Sequence, residues 1–215
     1  NLAPNAVLDE CEINGSVLNN PLVYLDDAGG GGQMIRNCDI NGTAGTGGES
    51  KAIQGWDSQG FSLIGTKITG TTIFVWLEGN RSAPSLIDQC YFYNQVSGGG
   101  SHHDGFTRRK GTNPLTIQNT RIDTSVGLVT GAFFLQSTYG DLVSNITVQD
   151  SYLEGLGYPF ALETSSDTSF LRNRVRPTGF GPAYSTGMIR MTWSENYIYA
   201  NDSVNDYKGS LIGTP

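Results

Sequence analysis

Residues 35–40 read IRNCDI and residues 87–92 read IDQCYF. The shared form is apolar, polar, polar, small, polar, apolar. It returns as LDECEI (8–13), LIGTKI (63–68), IQNTRI (117–122), VQDSYL (148–153), FLRNRV (170–175) and WSENYI (193–198). The fourth positions are Cys11, Cys38, Thr66, Cys90, Thr120, Ser151, Asn173 and Asn196, separated by 27, 28, 24, 30, 31, 22 and 23 residues. Eight copies at a drifting spacing mark a solenoid whose turns carry insertions. Bend-forming Gly, Asn, Ser and Thr follow the copies, and no segment sustains a 3.6-residue period. The expected fold class is therefore all-β, a single-stranded parallel β-helix of about eight coils. With coils about 4.8 Å apart, seven steps span roughly 34 Å. A leucine-rich repeat fits less well, because its strict leucine spacing is absent.

The totals agree with that reading. A chain of 215 residues with 29 glycines and 37% hydrophobic residues suits many short strands joined by tight bends. One domain, residues 1–215, is expected. Because the chain starts at Asn1, it is read as a mature part or fragment of a longer protein. A net charge of −7 argues against nucleic acid as a partner, and no apolar run approaches the roughly 20 residues that membrane insertion needs. Cys11, Cys38 and Cys90 share one file with Thr, Ser and Asn, so buried free thiols are expected. A Cys11–Cys38 bridge is the alternative, although stacked side chains run parallel.

A second strand column precedes the phrases: AIQGWD (52–57), VWLEGN (75–80), GFTRRK (105–110), FFLQST (133–138), FALETS (160–165) and MIRMTW (188–193). Alternation assigns its faces. Ile53, Val75, Leu77, Phe106, Phe133, Leu135, Phe160, Leu162, Ile189 and Met191 should point inward. Gln54, Trp56, Trp76, Glu78, Thr107, Arg109, Phe134, Gln136, Glu163 and Arg190 should point outward. Arg108 would fall inside, which is costly, so the strand should end or bulge there. The outward row is read either as solvated ion pairs or as a carbohydrate groove. In the groove, Trp56, Trp76, Arg109, Phe134, Gln136 and Arg190 would hold sugar rings and hydroxyls.

Several stretches carry a family resemblance: H-x-D-G-F at His102, Asp104, Gly105 and Phe106; SNITVQDSYLEGLGYPFAL from Ser144; and FGPAYSTGMIRMTWSENYIY from Phe180. They resemble right-handed parallel β-helix proteins, broadly pectate-lyase-like, of actinobacteria and their phages. The likeness covers roughly residues 85–200. It implies a right-handed solenoid and a setting on a phage tail tip, as a minor tail protein, or among secreted proteins. It also implies partners among other tail proteins or in a homotrimer. Thr107 stands where that family commonly has Gln, and the basic run Arg108–Lys110 is this chain's own, so shared ligand contacts there are in doubt.

The polar stretch SGGGSHHDGFTRRKG (97–111) invites a chemical reading. Adjacent His102 and His103 point to opposite faces of a strand and no third histidine exists, so no metal is expected. A Ca²⁺ site on Asp104 and backbone oxygens is the alternative. No other cofactor is implied. Glycoside hydrolysis needs two carboxyl groups about 5–5.5 Å or 6.5–9.5 Å apart. Glu78 and Glu163 lie three coils apart, too far, which leaves Asp104 with Glu78 or Glu163, or Asp57 with Glu78. A lyase would use Arg109, Lys110 or a histidine as base, with Arg109 or Arg190 on a uronate. The leading reading of the stretch is architectural: Gly98–Gly100 bend the chain, Asp104 and Gly105 start a strand, and Phe106 fills the core. The function expected is recognition of a cell-envelope polysaccharide outside the cell or on a virion. A depolymerase or a purely structural rod are the alternatives.

Overall fold

The computed structural model describes residues 1–17, 20–25, 31–44, 49–56, 60–79, 83–96, 103–124, 129–137, 142–177, 180–198 and 210–211. They form a right-handed parallel β-helix, the hand that parallel crossovers take. Three sheets run along its axis, of eight, nine and seven strands. Sheet 1 runs from Val7–Asp9 to Ile189–Ser194, and sheet 2 from Glu12–Val17 to Tyr197–Ile198 with Ser210–Leu211 added. Sheet 3 stacks Val23–Leu25, Lys51–Trp56, Ile73–Glu78, His103–Arg108, Val129–Leu135, Tyr158–Glu163 and Ala183–Thr186. Among the described residues the one antiparallel pairing is Ser210–Leu211 against Tyr197–Ile198. Complete turns number fewer than the eight expected, because among the described residues no sheet 3 strand follows the last phrase.

Each phrase is a corner. Its first half ends a sheet 1 strand and its second half starts a sheet 2 strand. The third residue makes the bend in a left-handed conformation: Glu10, Asn37, Gly65, Gln89, Asn119, Asp150, Arg172 and Glu195 have φ between 50° and 57°. The fourth residues then stack in single file. Backbone N–H groups of Cys11, Cys38, Cys90, Thr120, Ser151 and Asn173 donate to the next coil's Cys38 Sγ (3.4 Å), Thr66 Oγ1 (3.4 Å), Thr120 Oγ1 (3.3 Å), Ser151 Oγ (3.2 Å), Asn173 Oδ1 (3.1 Å) and Asn196 Oδ1 (3.0 Å). Thiols and hydroxyls of the file donate back to the carbonyl two residues earlier, as Thr120 Oγ1 does to Gln118 at 2.8 Å. A small residue with one donor and one acceptor fits that corner, which explains why Cys, Thr, Ser and Asn interchange there.

All three cysteines are free. Burial pushes the Cys90 thiol up to about 12, and burial also raises Cys38. The thiolate is the reactive form. At pH 8 the folded protein should therefore leave Cys90 unlabelled by a disulfide reagent for hours and react first at half-buried Cys11, while denatured protein gives three equivalents. Rapid labelling of Cys90 in the folded state would contradict the corner geometry.

The interior follows the alternation for Ile53, Val75, Leu77, Phe106, Phe133, Leu135, Phe160 and Leu162, all buried in one core. Toward the last coils this core turns aromatic. Phe106 and Phe133 stack at 5.1 Å, and Phe133, Phe160, Phe170 and Trp193 meet at 5.1–6.0 Å. Gly105 lies where a Cβ would come within 2.3 Å of Ile122 Cγ2 and 2.4 Å of the Ala132 carbonyl oxygen, so the coil closes only around glycine. The strand His103–Arg108 ends at Arg108, yet Arg108 stays in register with Leu77 and Leu135, so ending there does not keep the charge out of the interior. The side chain is buried, bonds Asn113 Oδ1 at 2.6 Å, and is pushed down to about 10 by desolvation.

One column assignment is corrected. MIRMTW does not join sheet 3: the last strand there is Ala183–Thr186, and Ile189–Ser194 pairs with Ser165–Leu171 in sheet 1. Sheet 1 strands lengthen in the last coils, so the strand before WSENYI is continuous with the phrase itself. Ile189 is consequently exposed, whereas Met191 packs on the core.

Candidate ligand-binding face

Sheet 3 places its outward residues in two registered rows. The inner row runs Gln54, Trp76, Thr107, Phe134, Ala161, Tyr184. The outer row contains Trp56 beside Glu78 and Glu163 beside Thr186. Arg109 and Gln136 follow the registered pair Arg108 and Leu135, so they fall in the same file between those pairs. Trp56, Glu78, Arg109, Gln136, Glu163 and Thr186 thus form one line about 24 Å long. All six are exposed or half-buried, with Trp56 49% exposed.

The inner row differs from the expectation of open aromatic rings. Trp76 and Phe134 point away from the core yet are 5% and 1% exposed. The Arg109 guanidinium lies 4.0 Å from the Trp76 ring centroid and the Lys51 ammonium 4.7 Å from it, while Trp76 Nε1 donates to Glu78 at 2.9 Å. Two cations on one indole hold the long side chains down over the ring. Alternation tells inside from outside; it does not say whether the outside meets water. Trp76 and Phe134 cannot offer a sugar a free ring face in this conformation.

Arg190 leaves the groove with the reassigned strand. It forms a bidentate pair with Asp167 on sheet 1, at 2.5 and 2.6 Å. Asp104 is fully buried and accepts from Thr107 Oγ1 at 3.0 Å. It is registered with Ile73 and Gly131, and Gly131 with Tyr158. Glu78 and Glu163 therefore lie five residues further along their strands, roughly 16 Å away. Neither combination reaches hydrolytic spacing. Among the described residues no three His, Cys, Asp or Glu side chains converge as metal ligands. His102, Asp57 and the Gly98–Gly100 bend lie outside the described residues.

The carboxylates that do come together were missed by the sequence reading. Asp123 and Glu154 are registered on neighbouring coils of sheet 2. Arg121 Nη2 stands 3.1 Å from Asp123 Oδ2 and 3.8 Å from Glu154 Oε2, so these oxygens are less than about 7 Å apart. Glu154 is buried, accepts from Arg176 at 3.0 Å and from the Tyr152 hydroxyl at 3.1 Å, and is pushed up by burial and by Asp123. Burial also drives Tyr152 up to about 12, with Glu154 adding to it. Arg121, Arg176 and Tyr152 tie these two carboxylates into a fixed network, which positions Arg121 and Tyr152 more than it frees a proton. The available signal was the residue directly after a phrase, Asp123 after IQNTRI and Glu154 after VQDSYL, two places past the outward Arg121 and Tyr152.

Compared with protein-family models, curated proteins and solved structures, the chain matches none.

Proposed function

We propose that this β-helix recognises a cell-surface polysaccharide without cutting it, as a tail-tip or secreted protein of the kind it resembles. The observation that carries the reading is the outer row of sheet 3. Its six water-reachable side chains present an indole, carboxylates, a guanidinium, an amide and a hydroxyl at one per coil. Such a line suits an extended sugar chain lying along the solenoid axis, with hydroxyls bonded by Glu78, Gln136 and Glu163 and one ring face on Trp56. Binding without cleavage is favoured because neither Asp104–Glu78 nor Asp104–Glu163 reaches working distance. Assembly with other tail proteins or as a homotrimer belongs to the same reading.

Titration of purified actinobacterial envelope polysaccharide by calorimetry tests it. Trp56→Ala and Gln136→Ala should each weaken binding about tenfold, the loss of one stacking or hydrogen-bond contact. No binding to any envelope polysaccharide would overturn the reading. Release of new reducing ends by the unmodified protein would replace recognition by hydrolysis.

A further inference from the structure

Arg108 is the largest fully buried side chain among the described residues, and it carries a charge. Its guanidinium fills the bend between the sheet 3 strand His103–Arg108 and the sheet 1 strand Leu115–Gln118. A Cβ on Gly111, whose φ is 129°, would come within 2.5 Å of Arg108 Nη2 and 2.1 Å of the Gly79 carbonyl oxygen, so only glycine lets the bend close around the guanidinium. Nη2 donates to Asn113 Oδ1 at 2.6 Å, and Asn113 Nδ2 donates in turn to the Ala83 carbonyl at 3.1 Å. Nε is buried with no hydrogen-bond partner among the described residues.

This cation lacks a counter-charge. Among the described residues no carboxylate pairs with it, and desolvation alone acts on its proton affinity. Glu78 stands on the same bend, but Trp76 Nε1 holds its carboxylate at 2.9 Å. A guanidinium keeps its proton at neutral pH, so it cannot escape the cost of burial by becoming neutral. Against it lies a cavity of about 10 Å³, lined by Phe61, Leu77, Ser85 and Asn113, with half-buried Glu78 and Lys110 completing the wall. That is room for a guest about the size of one water. Ser85 Oγ accepts from the Phe61 backbone N–H at 3.3 Å and keeps its own hydrogen to donate.

We propose that this cavity is a binding site for one small monovalent anion of the halide class, held by Arg108 and Ser85. The guanidinium supplies the charge and the unused Nε donor, and the serine hydroxyl supplies a second hydrogen bond. Phe61 and Leu77 line the cavity with apolar surface, where the attraction is stronger than in water. Size and charge decide the class. Chloride is only slightly larger than a water, whereas phosphate, sulfate or a sugar carboxylate needs far more space. The nearby Glu78 carboxylate also repels a multivalent anion. The bound ion ties Ser85 on one coil to Arg108 on the next, and the site does not depend on the polysaccharide reading.

Two measurements test it. In crystals of the unmodified protein soaked in sodium bromide, anomalous diffraction should place a bromide in contact with Arg108 Nε and Ser85 Oγ. Urea unfolding at constant ionic strength, which holds general screening fixed, compares sodium chloride with sodium gluconate, whose anion is too bulky to enter. Raising chloride to about 0.5 M should increase the folding equilibrium constant about tenfold, as for a dissociation constant near roughly 0.05 M. Arg108→Met should abolish this chloride dependence, Ser85→Ala should weaken it, and Glu78→Gln should steepen it, whatever each does to stability in gluconate. A water alone beside Nε in the bromide-soaked crystal would overturn the site, as would equal unfolding midpoints in the two salts. A chloride effect undiminished in Arg108→Met would overturn it too, because it would be a general salt effect.

Discussion

Phe133→Ala is expected to destabilise the later coils by about 3–5 kcal/mol, the range for deleting a buried phenyl ring. Phe133 is fully buried and touches Phe106, Phe160 and Phe170, so it joins three coils rather than filling one. The cavity cannot collapse easily, because parallel strands on either side hold the backbone at fixed spacing. Phe133→Leu keeps most of the volume and should cost less than about 1.5 kcal/mol. Urea unfolding followed by the fluorescence of Trp193, which packs on Phe160 and Phe170, reads the coils concerned. A solenoid need not melt as one unit, so the shift should be largest for that probe. A change below about 1 kcal/mol would mean that the aromatic stack is not what ties these coils together.

Asn173→Ala should be nearly as damaging, for a polar reason. The Asn173 side chain accepts from the Ser151 backbone N–H at 3.1 Å and donates to the Val148 carbonyl and Asn196 Oδ1, both at 2.9 Å. Alanine leaves a buried N–H and a buried C=O without partners, each costing about 1–3 kcal/mol. Asn173→Ser keeps an acceptor for Ser151, as Ser151 itself does for Thr120, and should recover about half the loss. The same urea midpoints decide it. Equal stability of the alanine and serine variants would show that the file is packing alone.

The corner file was legible because its chemistry is local. A bend closed by a small donor–acceptor residue repeats wherever the coil repeats, so Cys38, Thr120 and Asn173 announce one position despite unequal insertions. Their αL neighbours Asn37, Gly65, Asn119 and Asp150 are residue types that tolerate that conformation. Inward positions of sheet 3 were readable for the same reason, since period-two alternation is a property of one strand. The candidate site was only half readable. Trp56, Glu78, Arg109, Gln136 and Glu163 do share a line, but Arg190 was placed on the wrong sheet because strand length varies from coil to coil and the phrase spacing does not record it.

From its own letters the chain determined that it winds, where it turns, and which side chains enter the core, because each depends on a few consecutive residues. The burial of Trp76 under Arg109 and Lys51, the distance of Asp104 from Glu78, and the meeting of Tyr91, Arg121 and Tyr152 were decided only in three dimensions. Those are contacts between coils, set by lateral register and by which long side chains fold across a face, and residues some thirty positions apart carry no mark of being neighbours.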